Sequence, residues 1–316
     1  MAYQLWDTAQ AFCSSITGAL STQAILKGVG VGSEEASVVS ATITWLCGNG
    51  VGMFGEILFA WSCGTQLDYD CKKWRLLADV LNDIAIMMSL VAAHFQSWFL
   101  VLLCGTNLCR AIVGVAGGAT RAAVIQHQSL TNNLADVAAK DGSQETIVNF
   151  IALLFNLFLI PLISLNNFLI WTMFALFTTL HILSNYRAIC TLKFSTLNRK
   201  RLAILTRHFL LYRQVLDIDD VNDFECRLKE LFTTTGRIKF NYGLCMNDPR
   251  LTFTSPPTTA EYIVSPFYVG STLSEVSLLL GVNATPRDML MATFHAHFLV
   301  HHYETRYRTD CSFCFI

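Results

Sequence analysis

Over the first 185 residues apolar positions run in blocks instead of alternating with polar ones. Windows of 18 or more mostly apolar residues fall at 8–31, 36–62, 76–93, 97–119, 146–164 and 167–185. At a rise of about 1.5 Å per residue, about 20 residues cross the roughly 30 Å hydrocarbon core of a bilayer. The pattern therefore predicts about six transmembrane helices, the first the least apolar because it is rich in Ser, Thr and Gly. Polar residues within these windows lie on stripes. Gln10, Ser14, Thr17 and Ser21 are spaced by four, three and four, which places them on one helix face. Thr42, Asn49, Gly52 and Glu56 repeat the arrangement in the second window, and Asp79, Asn82 and Asp83 share a face in the third. Asn107, Arg110, Gly114, Gly117 and Arg121 do so in the fourth, and Glu145, Asn149 and Asn156 in the fifth. Such faces are expected to turn toward one another and away from lipid.

A charged side chain inside a bilayer costs at least about 2.5–3.5 kcal/mol, so intramembrane ionisable residues are paired and mark functional positions. Arg110 is expected to pair with Asp83 or Asp79, which lie at a matching depth. With Glu56 and Glu145 they predict a hydrogen-bonding vestibule between spans two to five, open toward the cytoplasm. Either a structural ion-pair network or a site for an ion or polar solute satisfies this pattern. The tract "DGSQ" before the fifth apolar window reads as a capping box, with Asp141 at the N-cap and Gln144 at N3. A helix N-terminus there, beside Lys140 and Arg121, would favour an anion. The candidate solute-binding set is Glu56, Asp79, Asn82, Asp83, Asn107, Arg110, Arg121, Lys140, Asp141, Ser143, Gln144, Glu145 and Asn149.

Composition supports the membrane assignment: 53% of residues are hydrophobic, 14% are charged and the mean hydropathy is +0.44, against roughly 25% charged in a soluble domain. Residues 1–185 hold seven Lys+Arg and eleven Asp+Glu and all six Trp, leaving fifteen and twelve charges of each sign for the last 131 residues. The expected organisation is a helical membrane domain over 1–185 and a cytosolic α+β domain over 186–316. With six spans, Lys72, Lys73, Arg75, Arg121, Lys140 and the run from Arg187 through Arg201 fall on one side, which puts both termini in the cytoplasm. Trp6, Trp61 and Trp74 fall near one interface, Trp98 and Trp171 near the other. No cationic segment precedes the first window, so no cleaved signal peptide is expected. The eleven Cys are scattered, as expected for a chain that does not depend on disulfides.

The string "GNGVGMFG" contains a G-x-G-x-x-G at Gly50, Gly52 and Gly55 after a strand-like "ATITWLC". A dinucleotide fold needs alternating strands and amphipathic helices, which the following apolar windows do not supply. These glycines, like Gly114, Gly117 and Gly118, read better as small-residue faces for close helix packing. Beyond Asn185, "NRKRLAILTRHFLLYRQVL" has helical periodicity with a basic face suited to anionic lipid. "GRIKFNY" and "EYIVSPF" alternate like short strands, and Thr285, Pro286 and Asp288 open a helix to about His302. His295, His297, His301 and His302, with Cys311 and Cys314, raise the question of zinc or of a redox pair, but the histidines point around much of the helix and only one C-x-x-C exists, so ordinary surface or packing histidines are expected. Asn283 begins a glycosylation sequon that the expected topology keeps cytosolic.

The strings "YQLWDTAQAFCSSITGALSTQAILKGVGVG", "LFAWSCGTQLDYDCKKWRLLADVLNDIA", "AGGATRAAVIQHQSLTNNLADVAAKDGSQETIVN" and "LSNYRAICTLKFSTLNRKR" resemble the root UVB sensitive (RUS) family of eukaryotic membrane proteins. The resemblance runs from about Tyr3 to Arg201 and fades beyond it. An N-terminal extension is usual in the family before the "YQLWD" segment, so the expectation is an incomplete chain or a short isoform. The resemblance implies a role connected with ultraviolet-B responses, early development and vitamin B6 homeostasis, and the family has no established catalytic reaction. Its strongest motifs coincide with Asp79, Asn82, Asp83, Arg121, Lys140, Asp141, Gly142, Ser143, Gln144 and Glu145. The expectation is a multi-pass membrane protein that binds or moves a small polar or anionic solute, a B6 vitamer among the candidates. The alternative is a non-transporting membrane scaffold whose cytosolic tail recruits partners. No enzyme activity is expected, because no nucleophile with its base and no metal set appears, and no cofactor is expected. The expected partners are the lipid bilayer, a small solute and a second copy or another family member, with no nucleic acid.

Overall fold

In the computed structural model, residues 2–31, 38–67, 70–227, 232, 239–242, 261–269 and 272–311 are described. The chain divides into two compact units, Met1–Lys193 and Phe194–Ile316. The described residues of the first form six long helices: α1 (Ala2–Val29), α2 (Val38–Leu67), α3 (Cys71–Ala92), α4 (Phe99–Gln128), α5 (Leu134–Ile163) and α6 (Asn167–Thr191). A short 3-10 turn, Gln96–Trp98, leads into α4. Helix α1 packs against α6, α5 and α3, and α3 against α4, α1 and α6, while α2 packs against α4.

Among the described residues four helices are both long and apolar enough to cross a membrane: Val38–Leu67, Gln96–Gln128, Leu134–Ile163 and Asn167–Thr191. Two of the six expected spans, α1 and α3, fall short of that mark for one reason. Helix α1 carries Gln, Ser and Thr along its length, and α3 opens with Lys72, Lys73 and Arg75 before Asp79 and Asp83.

Burial runs opposite to hydropathy. The polar stripe of α1 is interior, with Thr17 and Ser21 fully buried, and α3 buries Lys72, Asp83 and Ser89. The apolar helices turn large side chains outward: Trp61 is 85% exposed, Phe158 74% and Phe168 76%. A soluble protein would gain roughly 25 cal/mol per Å² by hiding such surface. Here it is displayed on helices long and apolar enough to cross a membrane. Between the helices, Leu20, Ala24, Ile86, Leu90, Ile163 and Phe174 form one apolar cluster, and Leu67, Trp74, Ala78 and Ala116 another.

Glycine sets the α2–α4 contact. A methyl group at Gly48 would come within 2.6 Å of Asn107 Nδ2, and one at Gly52 within 3.3 Å of the Asn107 carbonyl oxygen. The strand-like "ATITWLC" is helical, and the G-x-G-x-x-G string serves this contact on two of its three glycines, Gly52 and Gly55, both buried; a methyl at Gly50 would meet nothing.

The second unit contains α7 (Arg199–Tyr212), α8 (Ile218–Glu225), strands β1 (Lys239–Tyr242), β2 (Tyr262–Val269) and β3 (Thr272–Leu280), and α9 (Pro286–Cys311). The sheet order is β1-β3-β2, with β1 parallel and β2 antiparallel to β3. The expected strands are found at Lys239–Tyr242 and Tyr262–Val269, the beginning of "GRIKFNY" lying outside the described residues. Pro266 is tolerated because β2 is an edge strand of the described sheet. Strand β3 was not anticipated. Its "TLSEVSLLL" buries Leu273, Val276 and Leu278 against Ala292, Ala296 and Val300 of α9 and Phe240 of β1, and Leu279 is buried as well.

Helix α9 begins at the expected box, Thr285 N donating to Asp288 Oδ2 at 2.8 Å, and continues past His302 to Cys311. The basic face expected on α7 is partly consumed: Lys200 and Arg201 are buried, and Arg201 Nε donates to Glu225 Oε2 at 3.0 Å. Asn222 completes that joint, donating from Nδ2 to the Phe194 carbonyl and accepting from the Phe194 N–H. His295 meets the Tyr262 hydroxyl at 2.7 Å, and the His297 ring lies 4.6 Å from the Phe240 ring, tilted by 40°. No group of three metal-ligating side chains forms among the described residues; the Cys311 side chain and Cys314 lie outside them.

Candidate functional site

Helix α1 is the polar spine of the first unit. On one side it meets α3: Arg75 Nη2 donates to Asp7 Oδ1 at 2.6 Å, Gln10 Nε2 donates to Asp79 Oδ2, and Asn82 Nδ2 donates to Ser14 Oγ at 3.4 Å. On the other it meets α5. Gln144 Nε2 donates to Thr8 Oγ1 at 2.5 Å, Ser15 Oγ donates to Asn149 Oδ1 at 2.5 Å, and Asn156 Nδ2 donates to the Ser15 carbonyl. The spacing of Asp7, Gln10 and Ser14 by three and four on α1, against Arg75, Asp79 and Asn82 on α3, lets three successive turns pair across the contact.

Where α1 and α3 separate from α4 and α5 a cavity of about 480 Å³ opens. Asp7, Gln10, Ser14 and Ser15 line it from α1, Arg75 from α3, Gly114, Gly117, Gly118 and Arg121 from α4, and Asp141, Glu145 and Asn149 from α5. Arg121 closes one wall, donating from Nη2 to Asp141 at 2.6 Å and lying 2.5 Å from Glu145 through Nη1. Asp141 and Glu145 are one helical turn apart, which is what allows a single planar guanidinium to hold both. The α4 glycines do not serve helix packing as expected. A methyl at Gly114, Gly117 or Gly118 would meet no atom within 4 Å, so these positions bound open space.

The structure gathers part of the expected residue set. Arg121, Asp141, Glu145 and Asn149 line the cavity. Asp79, Asn82 and Asp83 stand behind its α1–α3 wall. Lys140, Ser143 and Gln144 face a separate, largely apolar recess with Thr8, and Lys140 forms an exposed pair with Asp136 at 2.8 Å. Asn107 sits in the α2–α4 contact, and Glu56 is exposed on α2, so the cavity lies between α1, α3, α4 and α5 and not between spans two to five.

Two local expectations are corrected. Arg110 donates to Ser21 Oγ at 2.6 Å, and Asp83 pairs instead with His181, Nδ1 to Oδ2 2.9 Å. Asp141 is no cap: α5 begins at Leu134 behind Asn133, and Asp141 lies two turns inside it. The 30-residue helix is about 45 Å long, so its polar opening turns extend past the apolar run. Asp7, Arg75, Tyr3 and His181 were missed. His181 carried the clearest signal, a lone ionisable residue inside an apolar window.

Residues 1–213 match the family described as the vitamin B6 photo-protection and homoeostasis domain. The chain is 47% identical over 211 residues to RUS family member 1 of Dictyostelium discoideum, covering 66% of this chain and 40% of that protein. It is 36% identical over 306 residues to protein root UVB sensitive 3 of Arabidopsis thaliana, covering 93% of this chain and 69% of that protein. Protein root UVB sensitive 6 of the same plant is 28% identical over 307 residues, with 59% of its length covered. The chain thus spans between two fifths and about two thirds of these curated relatives. No solved structure matches it. The matched domain and the two stronger relatives, which between them cover most of the chain, establish that it belongs to the root UVB sensitive family.

Proposed function

We propose that the unit Met1–Lys193 is a membrane-embedded bundle, both termini cytoplasmic, that binds and moves a small polar solute through the cavity between α1, α3, α4 and α5. The observation that carries this reading is the inversion of polarity. Apolar helices display their side chains outward, while charged and hydrogen-bonding groups converge on an inner space of about 480 Å³, within the 300–1,000 Å³ typical of small-molecule sites. In this reading α1 and α3 complete the expected six spans as inner helices, screened from lipid by the four apolar ones.

The wall sets the solute's charge. Asp7, Asp141 and Glu145 oppose Arg75 and Arg121, and both guanidiniums are already engaged by these carboxylates. A net negative lining favours a neutral, zwitterionic or cationic polar molecule over the anion expected from the sequence. The family's connection with vitamin B6 makes an amine-bearing or uncharged B6 vitamer the first candidate. Binding and passage need no covalent chemistry, and the reading assigns none.

Thermal stabilisation of the detergent-purified protein by B6 vitamers and a broad metabolite panel, followed by flux in proteoliposomes, tests it. Wild type should respond, and Gly117→Leu, which fills open space, should lose the response while remaining folded. No stabilisation and no flux across the panel would favour a membrane scaffold.

A further inference from the structure

Behind the α1–α3 wall lies a cluster that does not line the cavity. His181 of α6 sits between two carboxylates of α3, its Nδ1 2.9 Å from Asp83 Oδ2 and its Nε2 3.7 Å from Asp79 Oδ2. His181 is 1% exposed and Asp83 4%. The charged groups facing this cluster are Arg75 on α3 and Asp7 on α1, with the Cys13 thiol of α1 beside Asp83. From α4 and α5, Arg121, Asp141 and Glu145 are occupied with one another. With a neutral imidazole, Asp7, Asp79 and Asp83 outweigh Arg75 by two charges, so two protons bring the group to neutrality. Uncompensated buried charge is costly. The cluster also has an unfilled acceptor: Asp83 Oδ1 is buried and receives no hydrogen bond from the described residues, and the same holds for Gln10 Oε1.

Gln10 belongs to both layers. It lines the cavity, and its amide N–H is given to Asp79 Oδ2. A carboxylate at Asp79 accepts that N–H. With a proton on Oδ2 of Asp79, the O–H would be a donor, for which the suitable partner is the unpaired Gln10 Oε1, so the amide would turn over and offer its N–H₂ elsewhere. One proton thereby changes what the cavity wall presents.

We propose that Asp79, His181 and Asp83 form a proton-binding site linked through Gln10 to the polar cavity, so that proton occupancy and solute occupancy are coupled. The coupling rests on the cavity being the solute site, and by linkage it acts equally in both directions.

The proton half is testable without any solute. A nitroxide attached at Gly114→Cys, in the full chain with its other reactive cysteines replaced, reports the cavity wall by electron paramagnetic resonance in detergent or nanodiscs. The expected result is one pH-dependent spectral transition in the parent protein. Asp79→Asn, a neutral mimic of the protonated carboxyl, should hold the spectrum in its low-pH form. Gln10→Leu, which keeps all three titratable side chains but removes the amide between Asp79 and the cavity, should abolish the response. A parent spectrum that does not change with pH, or a transition that survives unchanged in both Asp79→Asn and Gln10→Leu, overturns the proposal. A second measurement takes pyridoxine and pyridoxamine uptake into proteoliposomes with and without an imposed proton gradient. Stimulation by the gradient in the parent protein, lost in Gln10→Leu, supports coupling; uptake indifferent to the gradient overturns it. Absence of uptake under every condition, with the spectral transition intact, would remove the solute reading and the coupling with it while leaving proton binding in place.

Discussion

One added methyl group should move the stability of the helical unit in opposite directions at Gly117 and at Gly28. Both glycines lie on helices, where Ala is favoured over Gly by about 1 kcal/mol in an interior turn. At Gly117, well inside α4, the new methyl meets no atom within 4 Å, so nothing opposes the gain. Gly117→Ala should therefore stabilise by about 1 kcal/mol, or about 2–4 °C for a unit of this size. At Gly28 the methyl falls within the ring of Phe99, which is 6% exposed and wedged beside Ala92 and Leu103. Overpacking of that kind costs about 1–3 kcal/mol, and the propensity gain is smaller in the last turn of α1. Thermal or denaturant unfolding of the two variants in one detergent measures the difference directly. Gly117→Ala destabilising the protein as much as Gly28→Ala would mean that the α4 glycine face is packed against another element and that the cavity does not exist.

Other substitutions test particular joints. Glu225→Gln leaves Arg201 buried without its charge partner, the two side chains being 6% and 3% exposed, and should destabilise by about 3–5 kcal/mol in denaturant unfolding. Arg121→Gln strips Asp141 and Glu145 of their shared guanidinium; because Arg121 is 38% exposed, the loss should be a smaller one of about 1 kcal/mol, read as a lowered unfolding midpoint. Burial, and then the nearby charge of Arg199, depress the His297 imidazole to about 4. An unfolded histidine titrates near 6.5, so the folded state binds fewer protons in this window. Its stabilising contribution is complete above about pH 6.5 and is lost as pH falls toward about 4, amounting to about 3 kcal/mol. His297→Phe, which keeps a ring against Phe240, should flatten the acid limb of the stability–pH curve; an unchanged limb would refute the assignment.

The helices of the first unit were legible because block hydropathy and stripe spacing report helix and face without any tertiary knowledge. The stripe Gln10, Ser14, Thr17 and Ser21 turned inward as its spacing implied. What the pattern could not supply was which stripes meet. Depth matching brought Arg110 to Asp83, but the rotation of α4 and the position of α6 give Arg110 to Ser21 and Asp83 to His181. Local signals misled in two places. "DGSQ" has the composition of a cap, yet "LADVAAK" before it favours helix, and the Asp136–Lys140 pair and the grip of Arg121 on Asp141 and Glu145 carry the helix through. Arg75 was counted as loop charge, although α3 starts at Cys71 and places it on the inner face opposite Asp7. Strand β3 escaped because Val276, Ser277, Leu278 and Leu279 are buried in succession, so this central strand lacks the alternation that marks a half-buried one.

The central claim is that a polar, water-filled space lies inside a bundle whose outer face is solvated by lipid. Single cysteines at Gly117, Phe158 and Ile57, introduced into the full chain with its other reactive cysteines replaced, allow it to be measured in permeabilised native membranes with a charged, water-soluble maleimide. Gly117 lines the cavity, whereas Phe158 and Ile57 are 74% and 68% exposed on the outer faces of α5 and α2. The account predicts rapid labelling at Gly117 and negligible labelling at the two outer positions. Labelling at Phe158 and Ile57 as fast as at Gly117 would place those faces in water and contradict it.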